Sequence, residues 1–244
     1  THWHHELMGR EADPESTFAR QLAYWRDRLD GLPERLALPT DRPRPAALRG
    51  RGGELRTELS PTAAAGLRSV AESTGTTPFM VAHTTLAVAL ARLSGSDDIV
   101  VGTPVAGRGH RDLVDLVGMF VGTVVLRTRV RPGDDFRTLL TAVRDTDLDA
   151  FDHADIPFDR LVALISPVRS AAHHPLFQVG FSYQNMATTH LTLDDLDVEV
   201  VEQPAGIAKS ELHLTITETD SGMSVLWDYD VDLYDRATVS RWHG

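Results

Sequence analysis

Large apolar side chains fall at Phe18, Leu22, Trp25 and Leu29, a spacing of four, three and four that puts them on one helical face, and Gly31 closes the run. This predicts an amphipathic helix within residues 3–30. Residues 36–45 then carry Pro39, Pro43 and Pro45, so they run extended over a surface as a connector or strap. Leu55, Thr57 and Leu59 alternate with polar neighbours, which predicts a strand over 52–60. Ser60-Pro61 and Thr77-Pro78 each place a capping hydroxyl before a proline suited to a first helical turn. They predict helices to about Thr74 and Leu93, closed by Gly75 and Gly95. The second is apolar almost all round and is expected to be buried.

Two β-branched runs, 99–105 and 121–130, read as strands joined through a turn region from Gly107. Asp134 and Asp135 favour a helix start, with the helix reaching about Ala150. Pro157 opens a short helix through Ile165. Strands are expected at 177–184, 198–202, 212–218 and 223–229, and Asp235 is expected to cap a last helix. Strands and helices interleave without a strict βαβ repeat, so the class is α/β with a mixed sheet.

Charge narrows the partners. The 244 residues carry 24 basic and 35 acidic side chains, a net of −11, which argues against free nucleic acid. The excess is local. Residues 194–235 hold twelve acids against Lys209 alone, and the remainder balances. Arginines cluster instead at 42–56 and 108–131. The longest uncharged apolar stretch, Leu116–Leu126, is far below the roughly 20 residues of a membrane helix. No cysteine is present, which removes thiolate chemistry and Cys-ligated zinc and fits a cytoplasmic setting. The start at Thr1-His2-Trp3 reads as a piece of something longer.

Candidate chemistry is sparse. His2, His4 and His5 lack the spacing of a known zinc type and are expected to decorate a terminus, so no metal site is assigned. His173-His174 is expected to be solvated or to cap a loop, and His83 to be a satisfied core histidine. No G-x-S-x-G elbow or phosphate loop occurs. Gly107-Arg108-Gly109 reads as a turn. The alternating acids Asp228, Asp230 and Asp232 lack the glycine and glutamate of a calcium loop and read as a solvated strand end.

Six segments in order resemble the condensation domain of nonribosomal peptide synthetases, in its C-terminal half: Tyr24-Trp25-Arg26 with Leu29-Asp30-Gly31; Leu38 to Pro45; Val100 to Arg108; Val117 to Thr123; His153 to Asp159; and Pro175 to Val179. The resemblance implies a chloramphenicol acetyltransferase-like lobe, a mixed β-sheet flanked by helices. Residues 1–45 would be a helix and proline-rich connector from the interlobe region, and 46–244 the C-terminal, acceptor-side lobe, a single domain overall. It also implies a reaction: an acyl or peptidyl group passes from one carrier protein's phosphopantetheine thioester to the amine of an aminoacyl group on a second carrier. The phosphopantetheine arrives on carriers, and no cofactor is expected on the lobe itself.

The family's H-H-x-x-x-D-G motif belongs to the N-terminal lobe and is absent from this chain. His4-His5-Glu6-Leu7-Met8-Gly9-Arg10 and His110-Arg111-Asp112-Leu113-Val114-Asp115-Leu116 each match it only in part. No catalytic residue is therefore assigned, and the chain alone is expected to be inactive in amide formation. By resemblance, Gly122 and Thr123 lie near the substrate tunnel, with Arg108, Gln178, Ser182 and Asn185 as further wall candidates. Arg108 and Arg111 are expected to meet acidic carriers. Arg169 is as well suited to backbone carbonyls as to a carrier phosphate. The sequence departs from the family at Gly122 and His174, where asparagine is usual, and at Ser210-Glu211-Leu212, where Phe-Asp-Leu is usual. Expected partners are the N-terminal lobe, peptidyl carrier proteins and an adjacent adenylation domain. Self-association of the isolated lobe is expected, because a half-fold exposes apolar surface. The alternative is a non-catalytic module of the same superfamily that docks a carrier or a tailoring enzyme.

Overall fold

The computed structural model describes residues 6, 8–108, 111–113, 115–165, 170–185, 198, 203, 205–219 and 222–243. His2, His4, His5, His110, Arg169, most of the acidic run 194–202 and all but Val198 of the strand expected at 198–202 lie outside the described residues.

Six strands form one mixed sheet in the order β1-β6-β5-β4-β2-β3. They are β1 (Gly52–Glu58), β2 (Asp98–Val105), β3 (Gly122–Arg129), β4 (Val179–Gln184), β5 (Leu212–Thr219) and β6 (Gly222–Asp230). β2 and β4 are parallel, as are β4 and β5, and the other pairs are antiparallel. Helices α1 (Thr17–Arg28), α2 (Pro61–Thr74), α3 (Pro78–Ser94), α4 (Phe136–Asp152), α5 (Phe158–Ile165) and α6 (Arg236–His243) flank it. The expected caps are in place: Ser60 Oγ accepts from Ala63 N–H, Thr77 Oγ1 from Met80 N–H and Asp135 Oδ1 from Thr138 N–H. Gly75 and Gly95 close α2 and α3 in the left-handed conformation.

Helix α1 starts at Thr17, where its apolar spacing begins, inside residues 3–30. Gly9 sits at φ 73° and Ser16 caps the helix by accepting from Ala19 N–H, so the chain turns before residue 17. Trp25 is buried and its indole N–H donates to His153 O at 2.8 Å. Tyr24 stacks on the His153 ring with centroids 3.8 Å apart, and Gln21 donates to Asp155. Two of the six resembling segments therefore meet at one packing joint.

The strap after α1 is built into the body. Leu36 and Leu38 are in the core, and Asp41 N–H donates to Leu233 O. The Asp41 carboxylate accepts from Asp235 N–H at 2.7 Å and from Thr238 Oγ1 at 2.8 Å, so it anchors the first turn of α6.

Four arginines of residues 42–51 pair with three acids of the acidic segment. Arg42 pairs with Asp235, Arg44 with Glu211, and Arg49 and Arg51 both with Asp232. Arg44 is largely buried, and Arg42, Arg49 and Arg51 lie at the surface. This corrects one expectation. Of the acids at the end of β6 read as solvated, Asp228 is half-buried but Asp230 and Asp232 are 1% and 6% exposed, and Asp230 accepts from Asp232 N–H.

Candidate functional site

Among the described residues the sheet opens between β2 and β4. β2 and β4 pair at only two positions, Val101↔Val179 and Gly102↔Gly180. Beyond them β2 stays with β3 as far as Val105↔Gly122, while β4 stays with β5 as far as Gln184↔Thr217. Pro104 has no N–H to offer β4, which limits a continued ladder. Two parallel strands thus diverge at their carboxyl ends, the place where α/β sheets form ligand crevices. The resulting cavity has a volume of about 450 Å³. Thr103 and Pro104 line one side, and Ser182, Tyr183, Gln184 and Asn185 the other. Thr77, Phe79 and Met80 at the start of α3 and Leu148 and Phe151 of α4 complete the lining.

The aromatic part of this wall is packed from behind. Phe79 contacts Phe181 and Phe151 with ring centroids 5.0 and 5.6 Å apart. One helical turn further along α3, His83 is fully buried and its Nδ1 lies 3.0 Å from both carboxylate oxygens of Asp147. The core placement expected for His83 holds, although its Nε2 has no hydrogen-bond partner among the described residues. Tyr183 donates its phenol to Glu218, and burial together with that carboxylate pushes the phenol above its ordinary range.

The residues picked from the sequence are brought together only in part. Ser182 and Asn185 line the cavity. Thr123 and Gly122 pair with Pro104 and Val105, so they stand one strand away from it. Gln178 is elsewhere. It is 3% exposed, its Oε1 accepts from Leu36 N–H at 2.7 Å and its Nε2 donates to His174 O, so it clasps the strap to the entry of β4.

Arg108 is also outside the cavity lining. It donates to Leu113 O and Gly118 O, and its guanidinium lies 4.3 Å from the Phe120 ring centroid. Gly107, at φ 63°, brings the backbone against Phe120 O, where a Cβ would fall 1.8 Å away. Arg108 therefore clamps its own loop and does not line this cavity. Arg111 is exposed and begins a single turn, Arg111–Leu113.

Sequence reasoning missed the aromatic wall of Phe79 and Phe151, because periodicity marks both as core and does not say which core residues border an opening. It also passed over His213. The Ser182 hydroxyl lies 2.8 Å from His213 Nε2, and burial, with a smaller push from Lys209, holds that imidazole below its ordinary range. Among the described residues no cluster of three or more His, Asp or Glu is arranged to hold a metal. No helix among them is long and apolar enough to cross a membrane.

This mixed sheet, flanked by helices and opened between two parallel strands, defines a chloramphenicol acetyltransferase-like lobe. The Condensation domain profile matches residues 8–244, and the chain belongs to that family. Its relatives are nonribosomal peptide synthetases. The chain is 44% identical over 252 residues to the synthetase CymA of Salinispora arenicola, covering 99% of this chain and 3% of that protein. It is 41% identical over 243 residues to a dimodular nonribosomal peptide synthase of Bacillus subtilis, covering 97% of this chain and 10% of that protein. Among solved structures, the X-domain from teicoplanin biosynthesis superposes with a TM-score of 0.90 at 26% identity, over 98% of this chain and 55% of that one. A complex of the X-domain and OxyB matches with a TM-score of 0.88 at 27% identity, over 98% of this chain and 53% of that one. The chain thus spans a small part of the synthetases and about half of the X-domain structures.

Proposed function

We propose that this chain is the C-terminal, acceptor-side lobe of a condensation domain. It forms one wall of the tunnel in which a donor acyl or peptidyl thioester is transferred to the amine of a carrier-bound acceptor. The observation that carries this reading is the divergence of β2 from β4 after Gly102 and Gly180, which opens a slot at the sheet's carboxyl edge. A slender chain such as a phosphopantetheine arm suits a gap between two strands, where Ser182, Gln184 and Asn185 face Thr103 and Pro104 with polar and apolar groups. The partners of this function are the N-terminal lobe, which brings the catalytic histidines, two carrier proteins and an adenylation domain that loads the acceptor. Residues 1–45 serve as the interlobe helix and strap. The setting is the cytoplasm.

Mixing the chain with its matching N-terminal lobe and two loaded carriers is expected to restore amide formation, while the chain alone forms none. A reconstituted pair that stays inactive while the intact domain works contradicts the reading.

The likeness to the X-domain, including a structure in which it is bound to OxyB, favours a second reading, a non-catalytic module that docks a carrier or a tailoring enzyme. Affinity separates the two. A docking module binds its partner tightly as an isolated chain, whereas half of a tunnel does not.

A further inference from the structure

Ser182 and His213 stand on the neighbouring parallel strands β4 and β5, with Oγ and Nε2 2.8 Å apart. A glycine makes the arrangement. Gly180 is the register partner of His213, and a Cβ at 180 would fall 2.1 Å from His213 Nδ1 and 2.7 Å from Cε1. The imidazole therefore occupies the slot left by the missing side chain, and its ring is held against the sheet. On the next strand Asp228 is the direct partner of His213, and such partners share a face of the sheet. Burial disfavours the imidazolium, so His213 is neutral at pH 7 and able to accept a proton. Ser182 belongs to the cavity lining. A hydroxyl hydrogen-bonded to a neutral, sterically fixed histidine beside an open cleft is the first element of an activated nucleophile.

We propose that Ser182 is an acyl-accepting nucleophile with His213 as its base, acting on small activated acyl thioesters and esters that enter the cleft between β2 and β4. Oγ attacks the acyl carbon, the Oγ–C bond forms and the C–S bond breaks. The hydroxyl proton passes to His213 Nε2 and then to the departing thiolate. Water next attacks the ester carbonyl and gives its proton to His213, which returns it to Ser182 Oγ as the acid leaves. This activity goes beyond transfer between carriers, because it needs neither the N-terminal lobe nor an amine.

The test treats the chain with S-acetyl-N-acetylcysteamine and with p-nitrophenyl acetate, following product release, intact mass and the site of acetylation by peptide mapping. An acetyl ester on Ser182 is expected. S182A is expected to abolish it, and H213Q to slow its formation by about 10²–10⁴-fold, the usual worth of a positioned base. Gly180→Ala is expected to act like H213Q, since the new methyl displaces the imidazole while both reactive groups remain. The rate is expected to fall as pH drops and His213 protonates, with a midpoint below about 6.5. Matched thermal melting of wild type and S182A shows that the loss is chemical. No acetylation at Ser182, acetylation confined to Lys209 or the amino terminus, or a rate unchanged in H213Q overturns the proposal. None of these outcomes depends on reconstituted condensation, so the two readings fail separately.

Discussion

Arg44 and Glu211 form a two-pronged ion pair that joins the proline-rich strap to the entry of β5, with Nη1–Oε1 at 2.6 Å and Nη2–Oε2 at 2.8 Å. The carboxylate is 1% exposed, and the same guanidinium donates to Ala172 O. Taking either partner away strands a charge in the interior, which costs about 3–5 kcal/mol, whereas replacing both with apolar groups of similar volume is often neutral. R44A is therefore expected to lower the urea midpoint strongly, and R44M/E211L to recover most of the loss. A double variant as unstable as R44A contradicts this.

The two buried histidines are expected to subtract stability as pH drops from 7.5 to 5.5, against the opposite contribution of Glu211, Asp228 and Asp230, whose carboxyl pKa values burial raises. Burial holds His174 and His213 below their ordinary range, so the folded chain resists protons that the unfolded chain takes up near pH 6.5. Where the unfolded state binds more protons, stability declines with falling pH. H174Q and H213Q are each expected to remove part of that histidine contribution in chemical denaturation across this window, and a pH dependence unchanged in both is the contrary result. Asp41, Asp135 and Asp232, held below the usual carboxylate range by hydrogen bonds, add a separate loss below about pH 4.

The loop between β2 and β3 presents Leu116, Val117, Met119 and Val121 to solvent, with Val117 and Met119 essentially fully exposed. Arg108 and Gly107 pin the loop from inside, so these side chains form a fixed apolar prominence. Concentration-dependent self-association is expected in sedimentation experiments, reduced by V117S/M119S. A monomer at all concentrations contradicts it.

Charge reversal at Arg111 is expected to slow association with an acidic carrier several-fold at low salt and to have little effect at high salt. Reversal at Arg108 would in addition release the loop clamp. Identical on-rates at low salt remove the arginine-bearing turn from the carrier interface.

The elements were legible where the signal is local. Ser60-Pro61, Thr77-Pro78, Gly75 and Gly95 fix the ends of α2 and α3 through capping and left-handed turns, which need no knowledge of the rest of the chain. The strap's extended course was likewise readable from its prolines. What it touches was not. Arg42 meets Asp235 and Arg51 meets Asp232 only because the sheet order brings these distant segments together, so arginines and acids that look like separate blocks in sequence are paired in the fold. The same holds for the site. Ser182 and Asn185 were selected by resemblance, but the opening depends on where two parallel strands part. The Ser182–His213 contact depends on a glycine whose absent side chain matters only once β4 and β5 are in register. Gln178 and Arg108 show the converse: polar groups in recognisable segments are occupied as clasps.

The central claim, that an acceptor arm enters between β2 and β4, can be tested directly because the chain has no cysteine of its own. Single substitutions Pro104→Cys, Gln184→Cys and Asn185→Cys put a thiol on either side of the opening, and Ser73→Cys on the exposed side of α2 serves as the control. With the N-terminal lobe supplied in trans, the rate of mixed-disulfide formation with a carrier's phosphopantetheine thiol is measured. Faster capture at the three cleft positions than at the control, by at least about tenfold, is the predicted result, since an arm held in the slot raises the local thiol concentration. Equal rates at all four positions would contradict the account.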